Sequence, residues 1–328
     1  MGTASRVLGA ALASLALLPA LAAAQTPWRH GIIEAKSDAG FQVMAVRAGF
    51  AQKLGLDLKH FYFQNDVIML RALLAGELDS FEGTPSAAIV IGSRGGGVKI
   101  IGCHWQNVVH SVFARAEFKG AADMKGATMA ISAPNAAPDM IAKAYLAQNN
   151  IALADVKFAS LGNDPDRYKA VASGVALATV VSIEFSVFGD RDGIKLIARG
   201  SEVMPSYQRL CTMTTDKAIE TRRDDIVRFL TAQMQGYRHA LTNRDEELRV
   251  TREITSIKPE DKRPEFMFDE ASNPKTGIDP AMPISMDKLA WLQDRLVAAG
   301  NMTQRSDLTR VVNTELRAEA LKRAGMQN

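Results

Sequence analysis

The chain has 328 residues, of which 47% are hydrophobic, enough for a sizeable buried core in one large or two medium domains. Its 39 Lys and Arg residues nearly balance its 36 Asp and Glu residues, and the basic residues form no block. Because nucleic-acid-binding surfaces need clustered positive charge, this balance argues against a nucleic-acid partner.

The first 24 residues have the pattern of a secretory signal peptide. One positive charge, Arg6, precedes an apolar run over 7–21, and Ala22-Ala23-Ala24 then gives a small-x-small cleavage pattern. The alternative is a membrane anchor, which needs about 20 apolar residues. We therefore expect a signal peptide over 1–24, cleavage after Ala24, and a soluble exported protein that begins at Gln25.

Two similar series of elements follow in the chain. Residues 31–63 have the pattern of a strand, a small loop, a helix and a strand, and residues 126–160 repeat this order. Each series continues with a helix, a glycine and a strand, with Gly76 in the first series and Gly174 in the second. A glycine directly after the last helical turn supplies the left-handed backbone that ends a helix.

Strands that alternate with helices of about 10–15 residues predict crossover connections and mainly parallel sheets. The sequence therefore predicts an α/β fold of two lobes, each with a mainly parallel sheet flanked by helices. In such sheets ligands bind beyond the carboxyl ends of the strands, where helix N-termini offer unpaired N–H groups. A ligand-binding cleft is expected where these ends meet.

Small and polar residues collect at the predicted strand ends. Ser132 and Asn135 have an alternative role as caps of the following helix, and that role is compatible with binding. Three carboxylates at these ends would suit a ligand with N–H or O–H donors, whereas the helix N-termini favour a carboxylate or sulfonate. Both preferences together suit an amphoteric or heterocyclic ligand. The candidates are Ser37, Asp38, Glu82, Thr84, Ser132, Asn135 and Glu184.

The chain resembles the periplasmic solute-binding proteins of ABC importers, in the branch that contains the nitrate, sulfonate, taurine and thiamine-pyrimidine binders. The resemblance covers most of residues 30–240. It is carried by the order and spacing of four segments, AGFAQKLGLDLK, ALLAGELDSFEGTPSA, AADMKGATMAISAPN and KAVASGVALATVVSIEFSVF.

This resemblance implies the type II periplasmic-binding-protein fold with one discontinuous lobe. Lobe one would comprise 25–112 and 210–328, and lobe two would comprise 113–209. Hinge strands would cross between them in the segments HSVFARA and YQRLCTMT. The resemblance also adds Phe41 and Asn163 to the candidate ligand-binding residues, because both fall on loops that bind ligand in the family.

Two features keep two interpretations each. Cys103 and Cys211 either form a disulfide, since an exported chain meets an oxidising compartment, or remain two buried thiols. The resemblance places both near the hinge on lobe one, which allows a bridge. Trp105 either stacks on a flat ligand or packs between the lobes. His104 and His110 lack the spacing of metal ligands, and neither a metal nor a cofactor is expected.

The resemblance thus predicts a monomeric periplasmic binding protein, not an enzyme. It would capture a small organic solute, of the sulfonate, organic acid or nitrogen heterocycle class, and deliver it to an inner-membrane ABC permease. One alternative is an enzyme on the same scaffold, either similar to the pyrimidine synthases or a lyase with Asp38 or Glu184 as base. Those synthases carry a cysteine-rich segment, whereas this chain has two cysteines. The other alternative is a solute sensor for a membrane signalling partner.

Overall fold

The computed structural model describes residues 24–132, 134 and 136–327. The predicted signal peptide, except for Ala24, and the candidate residue Asn135 lie outside the described residues. Within the described part of the chain, no helix is long and apolar enough to cross a membrane.

The strands form two five-stranded sheets. They are β1 (Thr26–Ile33), β2 (Leu56–Phe63), β3 (Ser80–Gly83), β4 (Val98–Trp105), β5 (His110–Arg115), β6 (Thr128–Ile131), β7 (Lys157–Ser160), β8 (Ala178–Ser182), β9 (Ile194–Ala198) and β10 (Leu210–Thr215). The strand order is β2-β1-β3-β10-β4 in the first sheet and β7-β6-β8-β5-β9 in the second. The two sheets therefore share one topology.

Helices flank both sheets. They are α1 (Ala39–Arg47), α2 (Phe50–Lys53), α3 (Asp66–Leu74), α4 (Ser86–Ser93), α5 (Ala137–Gln148), α6 (Asp164–Ala172), α7 (Gly189–Asp192), α8 (Gly200–Val203), α9 (Asp216–Thr221), α10 (Arg223–Thr242), α11 (Arg244–Thr255), α12 (Arg263–Ala271), α13 (Met286–Ala298) and α14 (Thr314–Arg323). Short 3-10 turns complete the chain, among them Ile183–Phe188 directly after β8.

The predicted two-lobed α/β fold is confirmed, and each sheet is mixed. In the first sheet β1 is parallel to β2 and β3, whereas β10 is antiparallel to β3 and β4. In the second sheet β6 is parallel to β7 and β8, whereas β5 is antiparallel to β8 and β9. The single reversed strand in each sheet is the one by which the chain arrives from the other sheet.

The two predicted helix-ending glycines are confirmed. Gly76 has φ of 76° two residues after α3, and Gly174 has φ of 81° two residues after α6. A side chain with a Cβ is strained in this left-handed region, which explains glycine at both positions. Each glycine turns the chain from a helix into the next strand of its sheet.

The first sheet is the apolar centre of its lobe. Trp28 and Ile32 on β1 and Ile100 on β4 are fully buried. Burial of an aliphatic side chain of this size stabilises the fold by about 1.5–3 kcal/mol. The Trp28 indole Nε1 donates a hydrogen bond of 2.9 Å to Ser80 Oγ, so its polar end is also satisfied.

A disulfide joins two paired strands of the first sheet. Cys103 on β4 and Cys211 on β10 are bonded, with a Cα–Cα distance of 3.9 Å, and both side chains are fully buried. The chain leaves the first sheet after Trp105 and returns to it at Leu210. The bridge therefore lies next to both passages between the sheets, whereas the lobe boundaries expected at 112 and 209 stay predictions.

Helix α12 contacts both halves of the molecule. Its Phe268 stacks on Phe41 of α1 with ring centroids 5.5 Å apart. Its Glu270 carboxylate accepts hydrogen bonds of 2.8 and 2.9 Å from the Arg199 guanidinium, which follows β9 of the second sheet. Helix α12 also packs on the turn Ile183–Phe188, so the C-terminal part of the chain closes one side of the space between the sheets.

Candidate ligand-binding cleft

A cavity of about 950 Å³, here called the main cavity, lies between the two sheets. Its walls come from loops at the carboxyl ends of parallel strands, as expected for α/β sheets. The lining includes Lys36 and Ser37 after β1, Asn65 and Asp66 after β2, Thr84 and Ser86 after β3, Ser132 and Pro138 after β6, Asn163 and Asp164 after β7, Glu184 and Phe185 after β8, and Thr255, Ile257 and Arg263 from the C-terminal part.

Five of the candidate residues line the main cavity together: Ser37, Thr84, Ser132, Asn163 and Glu184. Ser132 Oγ is buried and has no hydrogen-bond partner among the described residues. A buried hydroxyl without a partner is costly, so this group is available to a ligand.

The side chains of Thr84 and Asn163 are already engaged. Thr84 Oγ1 donates a hydrogen bond of 2.7 Å to Asp66 Oδ2, and the Thr84 backbone N–H donates one of 2.9 Å to the same oxygen. Asn163 Oδ1 accepts a hydrogen bond from Asp166 N and so caps α6. Both residues form part of the wall of the main cavity. The two hydrogen bonds from Thr84 fix the position of the Asp66 carboxylate in that wall.

Charges of both signs face the main cavity. Burial raises the pKa of Asp164, but His110, Arg167 and Lys36 outweigh burial and hold it well below its usual range. Burial raises the pKa of Glu184, whereas a hydrogen bond from the Ser37 side chain lowers it in part. Because Ser37 follows β1 and Glu184 follows β8, this contact joins the two halves of the molecule.

A smaller cavity of about 140 Å³, here called the inner pocket, adjoins the main cavity. The two share Ile33, Lys36, Thr84 and His110 in their linings. The candidates Asp38 and Glu82 line the inner pocket instead of the main cavity. The inner pocket extends beneath the first sheet's loops toward Arg209 at the start of β10.

Glu82 connects the inner pocket to a buried polar group of residues. Gln42 Nε2 donates a hydrogen bond of 2.6 Å to Glu82 Oε1, and His104 Nε2 lies 3.5 Å from Glu82 Oε2. The His104 ring stacks on Tyr237 with centroids 4.7 Å apart. Burial, with a contribution from Asp38, raises the pKa of Glu82 to about 8. Glu82 therefore carries a proton at neutral pH.

Arg209 is fixed at the end of the inner pocket by two neighbours. Its guanidinium lies 3.9 Å above the centre of the Trp105 ring, a cation–π contact. Its Nη2 donates a hydrogen bond of 3.3 Å to Asp38 Oδ2. Trp105 is buried beneath Arg209, which lines the pocket, and its two predicted roles stay predictions.

Two candidates do not line either cavity. Phe41 is only 2% exposed and packs on Phe268, since α1 already begins at Ala39 and turns Phe41 toward α12. Trp105 is equally buried beneath Arg209. The assignment of these two side chains to ligand contact stays a prediction without support from either cavity, and Asn135 lies outside the described residues.

Several polar and charged residues of the two cavities were not among the predicted site residues. Arg209 and Gln42 gave no local indication, because the first precedes a strand and the second lies in a helix. Lys36 directly precedes the candidate Ser37, so its position at the end of a predicted strand could have identified it. The missed residues that line one of the two cavities include Lys36, Gln42, Asp66, His110, Arg209 and Arg263.

Another cavity, of about 520 Å³, lies on the first lobe away from these loops and is lined by Arg29, Asp79 and Arg222 among others. Asp79 there already accepts hydrogen bonds from both arginines. Arg29, Asp79 and Arg222 are thus paired with one another and the walls come from one lobe, so the main cavity remains the candidate site.

Solved structures share this two-lobed fold. The periplasmic aliphatic sulphonate-binding protein SsuA from Escherichia coli is 14% identical with a TM-score of 0.72, covering 88% of this chain and 92% of its own. The alkanesulfonate-binding protein SsuA from Xanthomonas axonopodis pv. citri, bound to MOPS, is 15% identical with a TM-score of 0.69, covering 89% and 100%. The desulfurization enzyme DszB is 13% identical with a TM-score of 0.67, covering 91% and 99%.

The sequence comparisons give a family. No curated protein sequence matches the chain. The family model described as NMT1/THI5 like matches residues 37–247, nearly two thirds of the chain. That span includes every described candidate residue of the cleft. The chain therefore belongs to the NMT1/THI5-like family.

Proposed function

We propose that the protein is the solute-binding component of an ABC import system and encloses one small organic solute between its sheets. The observation that carries this proposal is the main cavity, whose walls come from both halves, with Ser37 and Thr84 on one side and Ser132 and Asn163 on the other. A solute that touches both sides ties them together, so binding favours a closed form. An inner-membrane permease would receive the solute, and the protein would act as a periplasmic monomer.

The main cavity suits an organic molecule larger than a simple ion. Its volume of about 950 Å³ lies at the upper end of the usual range for small-molecule sites. Lys36 and Arg263 bring positive charge to it, and Asp66 and Glu184 bring carboxyl groups. This combination supports an amphoteric solute, or an organic anion that also carries hydrogen-bond donors.

The fold alone does not separate transport from catalysis, because a desulfurization enzyme shares it. The two cysteines of this chain are both in the disulfide, so neither supplies a free thiol as nucleophile. Recovery of the bound solute decides the question. A binding protein releases its solute with an unchanged mass, whereas an enzyme releases a product.

A thermal-shift screen tests the proposal with alkanesulfonates, aromatic carboxylates, pyrimidines and amines. A compound present at 100 times its dissociation constant should add about 2.7 kcal/mol of stability. Mass spectrometry of the released compound then checks that it is unchanged. Stabilisation by none of these classes, or conversion of the compound during incubation, would contradict the proposed function.

Ser132→Ala is expected to weaken binding of the best compound from the screen roughly 2- to 10-fold, the effect of losing one hydrogen bond. The melting temperature without ligand should stay nearly unchanged, because Ser132 Oγ has no partner among the described residues. Calorimetry measures the affinity. Ser173→Ala is the matched control, since its hydroxyl donates a hydrogen bond to the Ala170 carbonyl of the preceding helix and lines neither cavity. Equal affinities for both variants would refute the role of Ser132.

Export is part of the same proposal. Protein recovered from the periplasm is expected to begin at Gln25, because the small residues Ala22 and Ala24 match the cleavage pattern. N-terminal sequencing of this material measures the cleavage site. Soluble exported protein that still begins with Met1 would show that no signal peptide is removed.

A further inference from the structure

The inner pocket is built differently from the main cavity that it adjoins. It has a volume of about 140 Å³, enough for a headgroup but not for a whole solute. Ile33, Val108 and Leu210 supply an apolar wall, Arg209 and Lys36 bring positive charge, and Glu34, Asp38 and Glu82 bring carboxyl groups. A group that enters from the main cavity therefore meets a narrow space with one apolar side and one charged side.

Arg209 offers an oriented donor in this space. Its ring contact with Trp105 and its hydrogen bond to Asp38 fix the plane of the guanidinium. Its Nη1 is buried and has no hydrogen-bond partner among the described residues. An unpaired buried N–H of a cation is costly, so a ligand acceptor at this position is strongly favoured.

We propose that the inner pocket holds a carboxylate headgroup of the solute and that Arg209 is the residue that selects it. The proposal rests on the solute-binding function and specifies which part of the solute enters the pocket. The guanidinium fork pairs with the two coplanar oxygens of a carboxylate. Lys36 adds a second positive charge, which offsets Asp38.

The same geometry disfavours a sulfonate. Arg209 Nη2 donates one of its two N–H groups to Asp38, so the fork that faces a ligand consists of Nη1 and the second N–H of Nη2. A sulfonate has three oxygens that are not coplanar, and at least one would face the apolar wall formed by Ile33, Val108 and Leu210. A buried oxygen without a donor weakens binding. The pocket therefore selects between two anions of equal charge.

The proton on Glu82 contributes to this selection. The titratable and charged groups that face Glu82 are Asp38, Asp66, His104, Arg209 and Tyr237. Burial lowers the pKa of His104 to about 3 and raises that of Tyr237 well above 10, so both stay neutral near pH 7. With its pKa raised to about 8 by burial, Glu82 is neutral below that pH and does not repel a bound carboxylate.

Calorimetry with benzoate, benzenesulfonate and benzamide tests the proposal on the full mature chain. We expect benzoate to bind the wild type at least tenfold more tightly than the other two. Arg209→Gln should weaken benzoate binding at least tenfold and remove the preference, as expected for a lost charge-assisted pair. Arg305→Gln is the control for loss of one positive charge, because Arg305 pairs with Asp294 on the surface away from both cavities.

A second variant and a pH series keep the test decisive if Arg209→Gln fails to fold. Arg209→Lys keeps the charge and the aliphatic stem but not the planar fork, so it should also lose the preference for benzoate over benzenesulfonate. Benzoate affinity of the wild type should fall several-fold between pH 7 and 9 as Glu82 ionises, and Glu82→Gln should remove this dependence.

The possible results distinguish failure of the carboxylate subsite from failure of the proposed solute-binding function. Equal binding of benzoate and benzenesulfonate by the wild type, or unchanged benzoate affinity in both Arg209 variants, overturns the carboxylate subsite and leaves solute binding intact. A wild type that binds none of these three probes overturns the subsite as well. If no compound of the broader screen binds either, the proposed function fails too.

Discussion

Replacement of both Cys103 and Cys211 by alanine is expected to lower the free energy of unfolding by about 2–5 kcal/mol. The disulfide closes a loop between residues 108 positions apart, and a crosslink over such a long loop removes much conformational entropy from the unfolded chain. Both residues are fully buried in the paired strands β4 and β10, where the bridge also fixes the register. Urea unfolding of the wild type and the double variant measures the difference.

Reduction of the wild type supplies the control for this experiment. If the bridge itself stabilises the protein, unfolding in the presence of a reductant should give the midpoint of the double variant. Thiol titration of the unreduced protein in guanidinium chloride should find no free thiol, since the two cysteines are bonded to each other. Two titratable thiols, or equal stability of the variant and the oxidised wild type, would contradict the bridge.

The free energy of unfolding is expected to fall as the pH rises from about 6.5 to 8, a range in which the stability of many proteins changes little. Burial raises the pKa values of Glu82 and Glu247 to about 8, against an ordinary value of 4.5. In this range the folded protein holds two protons that the unfolded chain has lost, so raising the pH favours unfolding. Each group contributes up to about 1.4 kcal/mol per pH unit.

Buried histidines oppose this trend at lower pH. Burial lowers the pKa of His104 to about 3, that of His60 to about 4 and that of His30 well below 6.5, so at these three groups the unfolded chain binds more protons than the folded protein below about pH 6.5. Stability from these groups is present above pH 6.5 and is lost as the pH falls. Between about pH 4.5 and 6.5 the three histidines oppose Glu82 and Glu247, so the loss of stability with rising pH should appear above pH 6.5.

Denaturant unfolding at half-unit pH steps measures this profile. Glu247→Gln should roughly halve the slope above pH 6.5, because Glu247 is fully buried in α11 and accepts a hydrogen bond of 2.7 Å from Thr251. Glu315→Gln is the control, since that side chain is 85% exposed. A wild-type curve that is flat or rising between pH 6.5 and 8 would show that neither buried glutamate keeps its proton.

The strand ends of the cleft were predictable because local rules govern them. Ser37 and Ser132 follow short apolar runs and precede helical patterns, and Gly76 and Gly174 mark where helices must end. These features depend on neighbours within a few residues. The sheets that bring the strand ends together follow from the alternation of strands and helices.

The inner pocket was not predictable in this way. Leu210 of β10 pairs with Trp105 of β4, more than 100 residues away in the chain. This pairing places Arg209 over the Trp105 ring, where it faces the inner pocket. The neighbours Phe41 and Gln42 lie in one helical turn, but they point about 100° apart. Phe41 therefore packs on Phe268 whereas Gln42 reaches Glu82. Their common proximity to the loop after β1 therefore does not indicate which of Phe41 and Gln42 faces the pocket.

Because β10 lies between β3 and β4, the sheet whose synthesis begins first is not the sheet that first has all its strands. All strands of the second sheet lie within one continuous stretch, 110–198, so that sheet has its complete set of strands as soon as this stretch has left the ribosome. The first sheet begins earlier in the chain, yet β3 and β4 lack their shared neighbour until Leu210–Thr215 has been made. The Cys103 thiol meets its partner only at that late stage. The bridge thus marks the completion of the part of the protein whose synthesis begins first.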